Sequence, residues 1–146
     1  MLVTAMESIR QQLIDVALEW QKQFGVAPAI TSTLSEYDAA MLVGCSEKEY
    51  SKHGQSRTAV TKGHDFKHNN IRYQVKGNRP SGKPGSPVTK VVKPTNYEWD
   101  KLIWILYDTQ YNILEAWEWD VDGYKREFDS KKRISPIDMR KGKNLL

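Results

Sequence analysis

Apolar and polar positions along this chain follow a helical period first and a strand period later. From Ala5 to Phe24, Ile9, Leu13, Val16, Ala17, Trp20 and Phe24 recur mostly at spacings of three and four. That is the apolar stripe of an amphipathic helix. Gly25 and then Pro28 mark its stop. The stripe predicts a helix packed on the core, with a helix that pairs with a second copy as the sharper alternative. A second helix is expected to start near Thr33 or Ser35 and to run to about Val43, with Gly44 closing it. Thr33 followed by Glu36 has the spacing of a capping box. Glu47 to Tyr50 adds a further turn of helix, and Ser51 to Lys62 reads as a polar, basic link.

The period then changes to two. Val60 to Phe66 and Ile71 to Lys76 read as the arms of a β-hairpin turned by His68-Asn69-Asn70. In the second arm Ile71, Tyr73 and Val75 alternate with Arg72, Gln74 and Lys76, so Gln74 and Lys76 share the face opposite the apolar set. Residues 77–95 carry Gly and Pro with several basic residues, a flexible basic loop in this reading. Lys101 to Tyr107 is a nearly continuous apolar run, the mark of a buried central strand. Asp108 to Asn112 supplies a turn and Ile113 to Trp119 a further strand. Asp120 to Phe128 is a short helix or another hairpin arm. Residues 130–146 form a basic tail.

Composition narrows the class. A chain of 146 residues with 39% hydrophobic and 27% charged residues has enough apolar content for one core and one globular domain. The net charge of +4 leans weakly toward a polyanionic partner. The only cysteine, Cys45, excludes an internal disulfide, and three histidines argue against a structural zinc site. The N-terminal residues lack the pattern of a signal peptide and no apolar run spans a bilayer, so no membrane partner is expected and a cytoplasmic location is.

The chemistry concentrates on the hairpin. Asp65 lies in the first arm, Gln74 and Lys76 in the second, with Gly63 and Gly77 bracketing them. A phosphodiester is a stable anion whose hydrolysis needs charge neutralisation and a positioned water. Mg²⁺ prefers hard oxygen ligands, one or two of them carboxylates. Asp65 supplies a carboxylate, Gln74 an amide oxygen, Val75 a backbone carbonyl, and Glu36 a second carboxylate, ligating directly or through water. Lys76 offers a cation for charge developing on phosphorus.

Gly63-His64-Asp65-Phe66 together with Tyr73-Gln74-Val75-Lys76-Gly77 resembles the active-site hairpin of the PD-(D/E)xK nuclease superfamily. With Gln74 at the second acidic position, it is most similar to the Mrr-like branch that reads D…QxK. Glu36 matches the glutamate that many members carry on an upstream helix. The resemblance covers about residues 33–119 and implies an α/β (α+β) fold with a restriction-endonuclease-like core, in which helices flank a mixed central sheet of about four strands. It implies a Mg²⁺-dependent DNA endonuclease, with Mn²⁺ as a substitute ion, of restriction or repair type. Glu36, Asp65, Gln74 and Lys76 are the implied catalytic residues, and Asp65, Gln74, Val75 and Glu36 the metal ligands. A Holliday-junction-resolvase-like nuclease and a non-catalytic DNA-binding or interaction module on the same fold are the alternatives. Lys52, Arg57, Lys62, Arg79, Lys83, Lys90 and Lys93 are the expected DNA contacts. Cutting both strands of a duplex calls for a dimer or a partner, a symmetric homodimer being the common solution.

Overall fold

The computed structural model describes residues 7–57 and 63–146. Its elements, in order, are α1 (Ile9–Phe24), α2 (Thr31–Leu42), α3 (Glu47–Ser56), β1 (Phe66–His68), β2 (Ile71–Asn78), β3 (Lys101–Tyr107), β4 (Ile113–Asp120), α4 (Val121–Phe128), α5 (Pro136–Met139) and β5 (Lys143–Asn144). Among the described residues the strands form one mixed sheet in the order β1-β2-β3-β4-β5. In it β2 and β3 are parallel and the other neighbours antiparallel. The α+β class and the mixed sheet match expectation, with five strands in place of about four.

The two faces of the sheet hold separate apolar clusters. One packs Tyr73, Val75, Ile103 and Ile105 against Ile14 and Ala17 of α1 and Leu34, Ala39 and Ala40 of α2. The other packs Leu102, Trp104 and Trp119 against Tyr124 and Phe128 of α4, together with Val91, Trp99, Ile134 and Met139. β3 contributes to both, which explains its unbroken apolar sequence. Parallel strands need a long crossover, usually through a helix. Here residues 79–100 cross without one.

Several elements depart from expectation for identifiable reasons. Ala5 and Met6 of the expected first helix lie outside the described residues; the helix begins at Ile9, where the Ser8 side chain accepts from the Gln11 amide and caps it. Its predicted core stripe largely faces outward: Ile9 is 80% exposed, Phe24 64% and Trp20 51%. The side turned inward runs through Arg10, Ile14, Ala17 and Gln21. It is oriented by the Arg10–Asp38 ion pair and by Gln21 bonding to Arg79 and Ser81. Polar partners, not the longest apolar stripe, set the rotation of α1.

The second helix starts at Thr31, so Thr33 and Ser35 lie inside it and no capping box forms at Glu36. Ser35 instead donates back to the Ser32 carbonyl. The third helix extends to Ser56, taking in the first half of what reads as a polar link. Asp120 accepts from the Gly123 amide and turns β4 directly into α4. The basic tail is built into the fold. Ser135 and Asp138 cap α5 reciprocally, Lys131 pairs with Asp138, Arg140 pairs with Glu115, and β5 joins β4.

Candidate functional site

The hairpin is real but shorter than expected. Val60, Thr61 and Lys62 of its predicted first arm lie outside the described residues, and the strand observed is Phe66–His68. The turn is the two-residue Asn69-Asn70, both with positive φ (49° and 67°). This left-handed pair matches the twist of the strands, and Asn tolerates it.

Asp65 thus precedes β1 instead of lying within it. Its amide still donates to the Tyr73 carbonyl at 2.7 Å, while its carboxylate Oδ2 accepts from the Val75 amide at 2.7 Å. Strand N–H groups point along the sheet. The Asp65 carboxylate therefore lies in the plane of the sheet, beside β2 where β1 has ended.

Glu36 reaches this place from α2. The close seat of α2 depends on Gly77, where an added Cβ would stand 2.6 Å from Ser35 Cβ. Arg57, at the end of α3, joins the two acids. Its Nη1 donates to Glu36 Oε1 at 2.6 Å and its Nη2 stands 3.9 Å from Asp65 Oδ1. Tyr50 also donates to Glu36 Oε1, at 3.2 Å. Burial pushes the Glu36 carboxyl above the usual range; Arg57 offsets this in part, and the Asp65 charge adds to it. Burial and the neighbouring Glu36 push the Tyr50 hydroxyl well up, so Tyr50 acts as a neutral donor.

Gln74 and Lys76 flank Val75 on the other face. Register pairs them with Leu102 and Trp104, which belong to the cluster beneath α4. They are partly exposed, and their side chains have no hydrogen-bond or ion-pair partner among the described residues. Two of the four expected catalytic side chains therefore meet through Arg57 on one side of the in-plane carboxylate, and two leave β2 on the other.

The expected DNA contacts divide sharply. Lys52, Lys83 and Lys90 are exposed, and Lys62 lies outside the described residues. Arg57 is turned inward onto the acids. Arg79 donates to the Thr109 carbonyl and Gln21 and stacks over the Tyr111 ring at 4.2 Å. Lys93 donates to the carbonyls of Phe128, Asp129 and Lys131. These three cations are engaged with carbonyls and carboxylates of the fold, some of them part-buried. Lys93 also ties down the end of the loop expected to be flexible, and Val91 is bridged to Ile134.

Sequence reasoning missed Tyr50 and the bridging role of Arg57, since nothing in their spacing links α3 to the hairpin. Nothing in the spacing singles out Asp38 either. Asp38 is 5% exposed, paired with Arg10 at 2.7 Å and hydrogen-bonded by the Tyr107 hydroxyl at 2.6 Å.

No protein-family model matches this chain, and no curated protein matches it. Among the described residues, no helix is long and apolar enough to cross a membrane.

Proposed function

We propose that this chain is a Mg²⁺-dependent endonuclease acting on DNA phosphodiester bonds, of restriction or repair type, with Mn²⁺ able to replace Mg²⁺. The observation that carries the reading is that one guanidinium holds two carboxylates from distant parts of the chain, Glu36 and Asp65. Two converging carboxylates on a single cation offer the hard-oxygen donors Mg²⁺ requires. The two carboxylates fit the ion: Asp65 and Glu36 would hold it, with the Val75 carbonyl beside Asp65 as a neutral donor, whereas Gln74 leaves β2 on the other face. When bound, the ion polarises the phosphoryl oxygens and lowers the pKa of a bound water.

The chain's own groups have separable tasks. Asp65 is oriented by the Val75 amide. Glu36 is kept from solvent by α2 and α3 and steered by Tyr50 and Arg57. Lys76, with no internal partner among the described residues, is available to neutralise charge developing on the phosphate. Lys52, Lys83 and Lys90 are available for the DNA backbone, where each phosphate neutralised adds affinity that weakens with salt. The homodimer that duplex cleavage calls for has a surface to use in the exposed stripe Ile9, Val16, Trp20 and Phe24. The buried, unpaired Cys45 supports a reducing setting, the cytoplasm.

The test is cleavage of supercoiled plasmid, linear duplex and a four-way junction in Mg²⁺, in Mn²⁺ and with chelator, alongside Asp65→Asn and Lys76→Ala. Metal-dependent cutting lost in both variants supports the reading. A preference for the junction would move it to a resolvase-like nuclease. DNA binding without cutting of any substrate would leave a non-catalytic module. Cutting retained in both variants would put the site elsewhere.

A further inference from the structure

A second group of ligand-type side chains lies at the N-terminal end of α3, away from Arg57 at its C-terminal end. Cys45 follows α2, Glu49 sits in the first turn of α3, and His68 is the last residue of β1. One ligand atom from each falls within 4.8 Å of the others. His68 Nδ1 is 2.9 and 3.0 Å from the two Glu49 oxygens, and its side chain is 11% exposed. Cys45 is buried, and its thiol has the Ser46 carbonyl, at 3.6 Å, as a weak acceptor.

We propose that Cys45, Glu49 and His68 form a three-ligand site for a thiophilic divalent cation of the Zn²⁺ type. A thiolate, an imidazole and a carboxylate are the donors Zn²⁺ takes, and three protein ligands leave a fourth position for water. The half-exposed Glu49 side chain opens that position to solvent. Bonds of about 2.0–2.3 Å at tetrahedral angles put ligand atoms about 3.3–3.6 Å apart. The ligand atoms lie within 4.8 Å of one another, so side-chain shifts on the order of an ångström would bring them to that spacing. Three donors from three segments distinguish the site from an ordinary His–carboxylate pair, which has no use for a third, buried thiol turned toward it.

The thiolate also separates this site from the Glu36–Asp65 pair, since Mg²⁺ avoids sulfur. Its place suggests its role. The ion would clamp the turn after α2, the start of α3 and the end of β1, next to the segments that carry Glu36, Arg57 and Asp65. The sequence argues against a structural zinc on the number of histidines, but one histidine suffices when Cys and Glu complete the set.

The full chain, stripped with chelator, is titrated with Zn²⁺ by calorimetry and with Co²⁺ by absorption. The expected result is a single equivalent of metal, tetrahedral Co²⁺ ligand-field bands with a thiolate charge-transfer band, and a raised melting temperature in Zn²⁺. Cys45→Ser should abolish the charge-transfer band. Glu49→Gln, at a side chain 43% exposed, should leave the far-ultraviolet circular dichroism unchanged and weaken Zn²⁺ by about tenfold or more. Asp65→Asn should leave the stoichiometry intact, which separates this site from the proposed nuclease centre. A wild-type chain without the thiolate band overturns the proposal. So does Zn²⁺ affinity undiminished in Glu49→Gln; that variant decides alone if Cys45→Ser does not fold.

Discussion

The Val75 amide donates to the Asp65 carboxylate at 2.7 Å, in the line that β1 leaves when it ends. Asp65 is therefore both a candidate ligand and a structural acceptor. Asp65→Ala removes the acceptor from a part-buried N–H and should cost about 1.5 kcal/mol, the low end for a bond to a charged group because Asp65 is partly exposed. Asp65→Asn keeps an oxygen at that place and should unfold close to wild type while losing metal-dependent cleavage. Denaturant titration of the two variants beside the plasmid assay checks the separation; equal destabilisation would remove the structural role.

Arg57 holds Glu36 and Asp65 where a divalent ion would sit, so guanidinium and ion compete. Arg57→Ala should lower the melting temperature without metal and enlarge the rise produced by Mg²⁺. A melting temperature indifferent to Mg²⁺ in that variant would speak against a shared site.

Glu36 also predicts a pH response. Burial raises its folded pKa above the unfolded value, so protonation favours the folded state. The stability it contributes is fully present below the ordinary Glu value of about 4.3 and is lost as pH rises through the raised folded value. Removing the partly compensating Arg57 should steepen that loss, and Glu36→Gln should flatten it. Melting temperatures across acid to neutral pH for the three chains check the sign.

Asp38 joins α1 to the sheet through Arg10 and Tyr107. Asp38→Ala leaves Arg10 without its carboxylate and the Tyr107 hydroxyl without its acceptor. The expected loss is about 3 kcal/mol, the lower part of the range for a broken buried pair because Arg10 is a quarter exposed. Chemical denaturation measures it; a loss within the ordinary surface range would show that α1 is held by Ile14 and Ala17 alone.

The basic residues should separate by role. Lys93→Met strips three carbonyls at the end of α4 of their donor and should cost about 1–2 kcal/mol of stability, leaving the salt dependence of DNA binding unchanged. Lys83→Ala and Lys90→Ala should leave stability unchanged. Each should reduce the slope of log affinity against log salt by up to about 0.9 for every phosphate it no longer neutralises. Filter binding across a salt series beside denaturation distinguishes the two groups.

The sequence by itself determined the local elements. The apolar run of β3, the alternation in β2, the Asn-Asn turn and the helix ends at Gly25 and near Gly44 are set by backbone preference and period, which act over a few residues. It also brought Asp65 beside β2, because a tight turn determines what lies across a hairpin. Tertiary structure decided the rest. The face α1 buries depends on Asp38, far along the chain, and the longest apolar stripe yields to an ion pair that must be satisfied once buried. Arg57 and Lys93 look alike as surface cations in sequence, yet one meets two carboxylates and the other three carbonyls. The Cys45, Glu49 and His68 group exists only because α2, α3 and β1 converge. Periodicity cannot register such meetings, since they depend on which partners the packed fold leaves within reach of a charge or a ligand atom.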